Sequence, residues 1–85
     1  MHEPVWRLTI ENKVLRYTAI IRKGEESGFV AYVPALKGCG SQGETFDEIL
    51  ANIQEAAEAY VESLIQDNMP VPPDVEIREI ELEVA

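Results

Sequence analysis

A long stripe of apolar residues dominates the second half of the chain. Over residues 45–68 the apolar side chains recur at three- and four-residue spacing, which predicts one amphipathic helix. Thr45 is a typical N-cap, Glu48 can reach back in a capping box, and Asp47 with Glu48 suits the positive end of the helix dipole. Asn68 and the prolines that follow mark the end, because proline cannot continue a helix. The apolar positions are Phe46, Ile49, Leu50, Ile53, Ala57, Tyr60, Val61, Leu64 and Ile65.

The first half of the chain alternates apolar and polar residues, which is the period of a strand. This alternation predicts strands over residues 5–10, 14–22 and 29–33, the last limited by Pro34. The turn at residues 23–28 is too short for a crossover connection. The second and third of these strands are therefore predicted to form an antiparallel hairpin.

Two further segments complete the predicted fold. Residues 39–43, CGSQG, have few side chains and indicate a loop or a short additional strand. Residues 74–84 alternate again, but the phase changes at Arg78 and Glu79, which indicates a bulge or a strand that changes neighbours. We predict an α+β fold of two layers, a small antiparallel sheet with one long helix on one face. The length fits a single domain over residues 1–85, with a core at 14–84.

The charge of the chain is strongly acidic and unevenly distributed. The net charge is −9, and no lysine or arginine occurs between Gly38 and Ile77. Such a surface repels phosphate backbones, so we expect no direct DNA binding. A basic protein partner, attracted by charge complementarity, fits better, although acidic surface also serves solubility alone. The candidate partner-binding residues lie on the helix and are Asp47, Glu48, Glu55, Glu58 and Glu62.

The sequence holds no convincing catalytic constellation. Gly38, Gly40 and Gly43 form a G-x-G-x-x-G pattern, but the dinucleotide fingerprint opens a crossover between parallel strands, and acidic residues follow here. Cys39 has no histidine near it in sequence, because the single histidine is His2. We therefore expect no enzyme, no cofactor and no metal site, and an inert, packed cysteine.

Location and assembly follow from similar considerations. The N-terminus lacks the basic start and apolar run of a signal peptide, and no window approaches 18 apolar residues. We expect a cytoplasmic protein that does not bind membranes. A domain of this size is marginally stable alone, so a homo-oligomer, either a dimer or a tetramer, is expected.

Residues 17–65 resemble the HicB-like antitoxin family. The likeness lies in a hairpin whose second strand begins with glycine and an aromatic residue and ends before a proline. A leucine, a Gly-Cys pair, a G-E-T motif and a helix rich in Glu, Ala and Asn follow in order. The matching residues are Gly28, Phe29, Pro34, Leu36, Gly38, Cys39, Gly43, Thr45, Glu48, Asn52, Glu55 and Ala56.

This resemblance implies a degenerate ribonuclease-H-like fold of the order β-β-β-α-β, with CGSQG as a strand. Residues 1–12 lie outside the family pattern, and we expect them either to add an N-terminal edge strand or to serve in oligomerisation. It implies binding and neutralisation of a HicA-type toxin, a small basic ribonuclease that cleaves messenger RNA. The chain would be a short form without the C-terminal DNA-binding domain that many members carry. An orphan homo-oligomeric interaction module with an unknown ligand or partner stays an alternative. A metal-dependent nuclease is a more distant one, since clustered acidic residues on strands are lacking.

Overall fold

A three-stranded antiparallel sheet with one helix against it forms the body of the molecule. The computed structural model describes residues 14–85. The strands β1 (Ile20–Lys23), β2 (Phe29–Tyr32) and β3 (Gly40–Gly43) lie in the order β1-β2-β3, and the helix α1 (Phe46–Gln66) follows. The predicted α+β class is confirmed. The strand predicted over residues 5–10 lies outside the described residues.

The core lies between α1 and one face of the sheet. Leu36 and Ile49 have essentially no exposed surface. Apolar residues of β2 and of the connection to β3 face the apolar stripe of the helix, as the alternation and the helical period predict. The buried residues are Ala31, Val33, Leu36, Cys39, Ile49, Ile53 and Val61.

The first described strand is shorter than its sequence pattern. Alternation predicts a strand over 14–22, whereas β1 begins at Ile20. Residues 17 and 18 bond to the chain after the helix instead. The Tyr17 hydroxyl donates to the Pro72 carbonyl, and the Thr18 backbone N–H donates to a carboxylate oxygen of Asp74 at 3.0 Å. A side-chain acceptor has replaced a neighbouring strand, so no ladder forms there.

The glycine-rich passage forms a strand, and close packing requires a glycine at one of its positions, Gly43. Val30 pairs with Gln42 in the register of β2 and β3. A Cβ atom on Gly43 would lie 2.9 Å from the backbone nitrogen of Ile49, so the sheet meets the start of α1 backbone to backbone. Gly28 has a φ of +71°, and its Cβ would lie 2.6 Å from the Gly43 carbonyl oxygen. The G-x-G-x-x-G pattern thus includes a glycine that a steric contact demands.

Both ends of α1 carry the capping devices that the sequence predicts. The Glu48 N–H donates to the Thr45 hydroxyl at 3.1 Å. The Glu48 carboxylate accepts from the Glu44 N–H, one residue before the N-cap of the usual capping box. At the other end Asn68 has a φ of 56°, and the Met69 N–H donates to the Leu64 carbonyl at 2.8 Å. This is a Schellman motif, which closes the helix before the prolines.

The predicted final strand is wrong for the described chain. Residues 74–84 alternate as a strand should, but no strand or helix occurs after α1 in the part of the chain that the structure describes. A strand needs a neighbour for its backbone groups, and these residues pair with none of β1, β2 and β3. We call residues 75–85 the arm. All of its residues are exposed.

Candidate partner-binding surface

The five candidate acidic residues lie together on the solvent side of α1. At 3.6 residues per turn they occupy an arc of about 100° on the helix surface, and the buried residues Ile49, Ile53 and Val61 lie on the other side. All five are exposed. We call this set the acidic face, and its members are Asp47, Glu48, Glu55, Glu58 and Glu62.

The acidic face has no cation near it within the helix. Every charged residue of α1 is acidic. Within residues 14–85, the ion pair with an N–O distance below 4 Å is that of Arg78 with Glu76, at 3.5 Å in the arm. A side-chain hydrogen bond from Gln54 to Glu58, at 3.4 Å, is the contact on the middle of the face. The described residues therefore leave the negative potential of this face uncompensated, and an external cation can compensate it.

Glu48 caps the start of the helix as the sequence predicts, but the backbone group that its carboxylate binds is visible only in the structure. Its carboxylate accepts the Glu44 N–H while its own N–H donates to Thr45. This side chain is therefore committed to the start of the helix. Asp47 lies in the same first turn, where a negative charge favours the helix dipole. Among the described contacts, the residues in the middle of the acidic face, Glu55, Glu58 and Glu62, make no bond that caps the helix.

An open apolar groove of about 420 Å³ lies beside the acidic face. It separates the second half of α1 from the start of β3, and on the helix surface its lining residues Ala59 and Ser63 are the ones next to the glutamates. The sequence pattern does not reveal this groove, because its walls come from two separate segments that only tertiary packing brings together. Its lining residues are Gly38, Cys39, Gly40, Ala56, Ala59, Tyr60, Ser63 and Leu64.

Cys39 forms part of the groove wall but is buried. Burial raises the pKa of its thiol, because the thiolate loses solvation away from water. The reactive thiolate is therefore scarce at neutral pH. The structure agrees with the prediction of a packed cysteine.

The described residues define the class of the protein as a small α+β module with an exposed acidic face on its helix. Within residues 14–85, no group of three His, Cys, Asp or Glu side chains is placed to hold a metal ion. The same part of the chain contains no helix that is long and apolar enough to cross a membrane.

The chain belongs to the family described as "HicB_like antitoxin of bacterial toxin-antitoxin system", which it matches over residues 17–84. A UPF0150 protein of Synechocystis is 47% identical over 62 residues, which are 73% of this chain and 78% of the relative. A UPF0150 protein of Thermoplasma acidophilum is 50% identical over 60 residues, which are 71% of this chain and 87% of the relative. The resemblance found in the sequence is thereby confirmed.

A solved structure described as "HicA3 and HicB3 toxin-antitoxin complex" contains a chain of similar fold. The TM-score is 0.59 at 33% sequence identity, over 71% of this chain and 70% of the other. The similarity extends beyond the sequence motifs to the arrangement of sheet and helix.

Proposed function

We propose that this chain is an antitoxin that binds a small basic HicA-type, mRNA-cleaving toxin and neutralises it by masking the toxin's surface. The observation that carries the proposal is the acidic face of α1. Its carboxylates are exposed, and no cation of residues 14–85 pairs with those at Glu55, Glu58 and Glu62. Family membership and the similarity to a chain of a HicA–HicB complex support the same partner class.

The antitoxin masks the toxin through attraction between opposite charges. A toxin that cleaves messenger RNA must neutralise phosphates with lysine and arginine side chains. The acidic face offers carboxylates to the same cations, so antitoxin and RNA compete for one surface. Long-range attraction between opposite charges also accelerates the encounter. The groove beside the face adds apolar contact area, which anchors the partner after the charges have oriented it.

This mode of action is stoichiometric binding by the single domain of residues 1–85 in the cytoplasm, without catalysis or a cofactor. The same charges disfavour DNA, because the chain has a net charge of −9 and the helix carries no cation. We do not propose a direct role in operator binding.

The test is a binding titration between this chain and any small basic HicA-type protein encoded next to its gene. The variant Glu55→Lys/Glu58→Lys reverses the middle of the acidic face without touching the helix cap. Its control is Glu25→Lys/Glu26→Lys, which makes the same change of net charge in an exposed turn. We expect the helix variant to bind about tenfold or more weakly and the turn variant to bind nearly as well as the wild type.

Equal weakening of both variants would show that net charge alone matters and that the helix is not the contact. No complex with the wild type at micromolar concentrations would refute the antitoxin proposal itself. Circular dichroism of both variants confirms that the helix is retained, so that weak binding reports on the interface.

A second candidate function is an orphan homo-oligomeric interaction module with an unknown ligand or partner. The observation that favours it is the exposed arm, whose alternating apolar residues find no neighbour among residues 14–85. The binding titration separates the two candidates. A protein that assembles with itself but ignores every neighbouring basic reading frame belongs to the second class.

A further inference from the structure

The arm departs from the body of the molecule at a well-defined point. Val71 packs against the core, and both the N–H and the hydroxyl of Thr18 donate to one carboxylate oxygen of Asp74, at 3.0 and 2.7 Å. These bonds hold residues 71–74 beside the residues that precede β1. From Val75 onward every residue is exposed. The arm is thus fixed at its root and unpaired along its length within the described chain.

The arm has the pattern of a half-buried strand. Ile80, Leu82 and Val84 alternate with glutamates and are 78%, 76% and 90% exposed. Aliphatic side chains at every second position are typical of a strand that lays one face against apolar neighbours. The family match extends to residue 84, so all of the arm except its last residue lies inside the matched region. A segment of this kind is expected to find a neighbour.

The charge of the arm indicates which surface it pairs with. The arm carries four glutamates and one arginine. The helix and the groove beside it are a poor choice, because every charge on α1 is acidic. Residues 14–24, by contrast, carry Arg16, Arg22 and Lys23 and no acidic residue. All three of these cations are exposed.

The same segment offers a strand edge and apolar contacts. β1 is at the end of the sheet order, so the outer side of Ile20–Lys23 faces no strand among the described residues. Val14 and Leu15, just before it, are exposed aliphatic residues. Residues 72–74 of the same chain bond to residues 17 and 18, just before this edge. Within residues 14–85, backbone groups that pair with no strand, cations and aliphatic side chains therefore occur together along this edge.

We propose that the arm of one copy pairs with the β1 edge of a second copy, and that the second copy returns its own arm in the same way. Such a reciprocal exchange is closed by a two-fold axis, the commonest symmetry of soluble oligomers. It provides the arm with a strand neighbour and places its glutamates among the cations of residues 14–24. This interface does not use the acidic face, so the proposal does not depend on the toxin.

The test uses charge reversal on the two halves of the proposed interface, with the full-length chain and no toxin present. The arm variant is Glu79→Lys/Glu81→Lys/Glu83→Lys, and the edge variant is Arg22→Glu/Lys23→Glu. Light scattering after size-exclusion chromatography measures the mass of each variant alone and of a one-to-one mixture. The helix variant Glu55→Lys/Glu58→Lys is the control for altered net charge.

We expect the wild type and the helix variant to be dimers, and the arm and edge variants to dissociate about tenfold or more readily when alone. The mixture restores the dimer, because each arm then meets an edge of opposite charge. A wild type that is monomeric throughout the micromolar range would overturn the proposal, even if the arm binds its own edge or a basic protein. Dimers that persist in both single variants, or a mixture that stays monomeric, would overturn it as well.

Discussion

Substitution of Ile49 by alanine tests how much the packing of α1 against the sheet contributes to the free energy of unfolding. Ile49 has no exposed surface, and its backbone meets Gly43 at the closest approach of helix and sheet. The variant Ile49→Ala removes three carbon atoms from this contact. Leu50 is the matched control, because it is the next residue of the same helix and is 41% exposed.

The magnitude follows from the burial. Transfer of three buried carbon atoms to water costs about 2.4 kcal/mol at about 0.8 kcal/mol for each CH₂ group. The cavity left in a tight contact raises the loss to about 3–4 kcal/mol, within the range of core truncations. A chain of this size has a total free energy of unfolding of about 4–13 kcal/mol. The single substitution therefore removes a large fraction of the stability.

Urea unfolding followed by circular dichroism measures the effect. With a slope of about 1–1.5 kcal/mol per molar urea, the midpoint of Ile49→Ala falls by about 2–4 M. The midpoint of Leu50→Ala falls by less than half as much, since part of that side chain already contacts water. If Ile49→Ala does not fold, Ile49→Val gives a smaller step of about 1 kcal/mol. Equal losses at Ile49 and Leu50 would refute the packing described here.

Three further predictions concern local structure. Gly28→Ala destabilises by about 1–3 kcal/mol, because its Cβ would meet the Gly43 carbonyl oxygen at 2.6 Å. Gly38→Ala, also at positive φ but with open space around its Cβ, costs less in the same urea experiment. Thr45→Ala removes the helix cap and costs about 1 kcal/mol, whereas Thr45→Ser retains most of the stability. Hydrogen bonds from the Thr18 backbone and side chain hold the pKa of Asp74 below its usual value. The stability that these bonds provide is fully present above the usual pKa of about 3.9, and it is lost as the pH falls through the lowered pKa of the folded state. The difference in urea midpoint between the wild type and Asp74→Asn therefore disappears in acid. A gap that stays constant down to the lowest pH would contradict this linkage.

The helix is the element that the sequence predicts best, because its signals are local. The apolar stripe, the Thr45 cap and the Asn68 stop each depend on neighbouring residues, and the observed helix Phe46–Gln66 agrees with them. β3 is predicted less well for the opposite reason. A strand of the sequence GSQG has almost no side-chain pattern, and its place is decided by backbone contacts with β2 and with the start of α1.

The arm shows that an alternating sequence pattern alone does not establish a strand. Its alternation predicts a strand, yet a strand exists only when another chain segment accepts its backbone bonds, and no residue of the arm carries that information. The acidic face is predicted from the sequence only in part. The helical period places its five residues on the solvent side, but the bond from the Glu44 N–H to the Glu48 carboxylate depends on the turn before the helix. The groove beside Cys39 depends on tertiary packing and has no signal in the sequence.

Protection of RNA measures the central claim most directly. A small basic HicA-type toxin that binds the wild-type chain is incubated with messenger RNA and increasing amounts of the wild type, of Glu55→Lys/Glu58→Lys or of Glu25→Lys/Glu26→Lys. We predict that the wild type and the turn variant stop cleavage near equimolar ratio, and that the helix variant needs about tenfold or more protein. Cleavage that continues at a large excess of wild type, or inhibition that is unchanged in the helix variant, would contradict masking of the toxin by the acidic face.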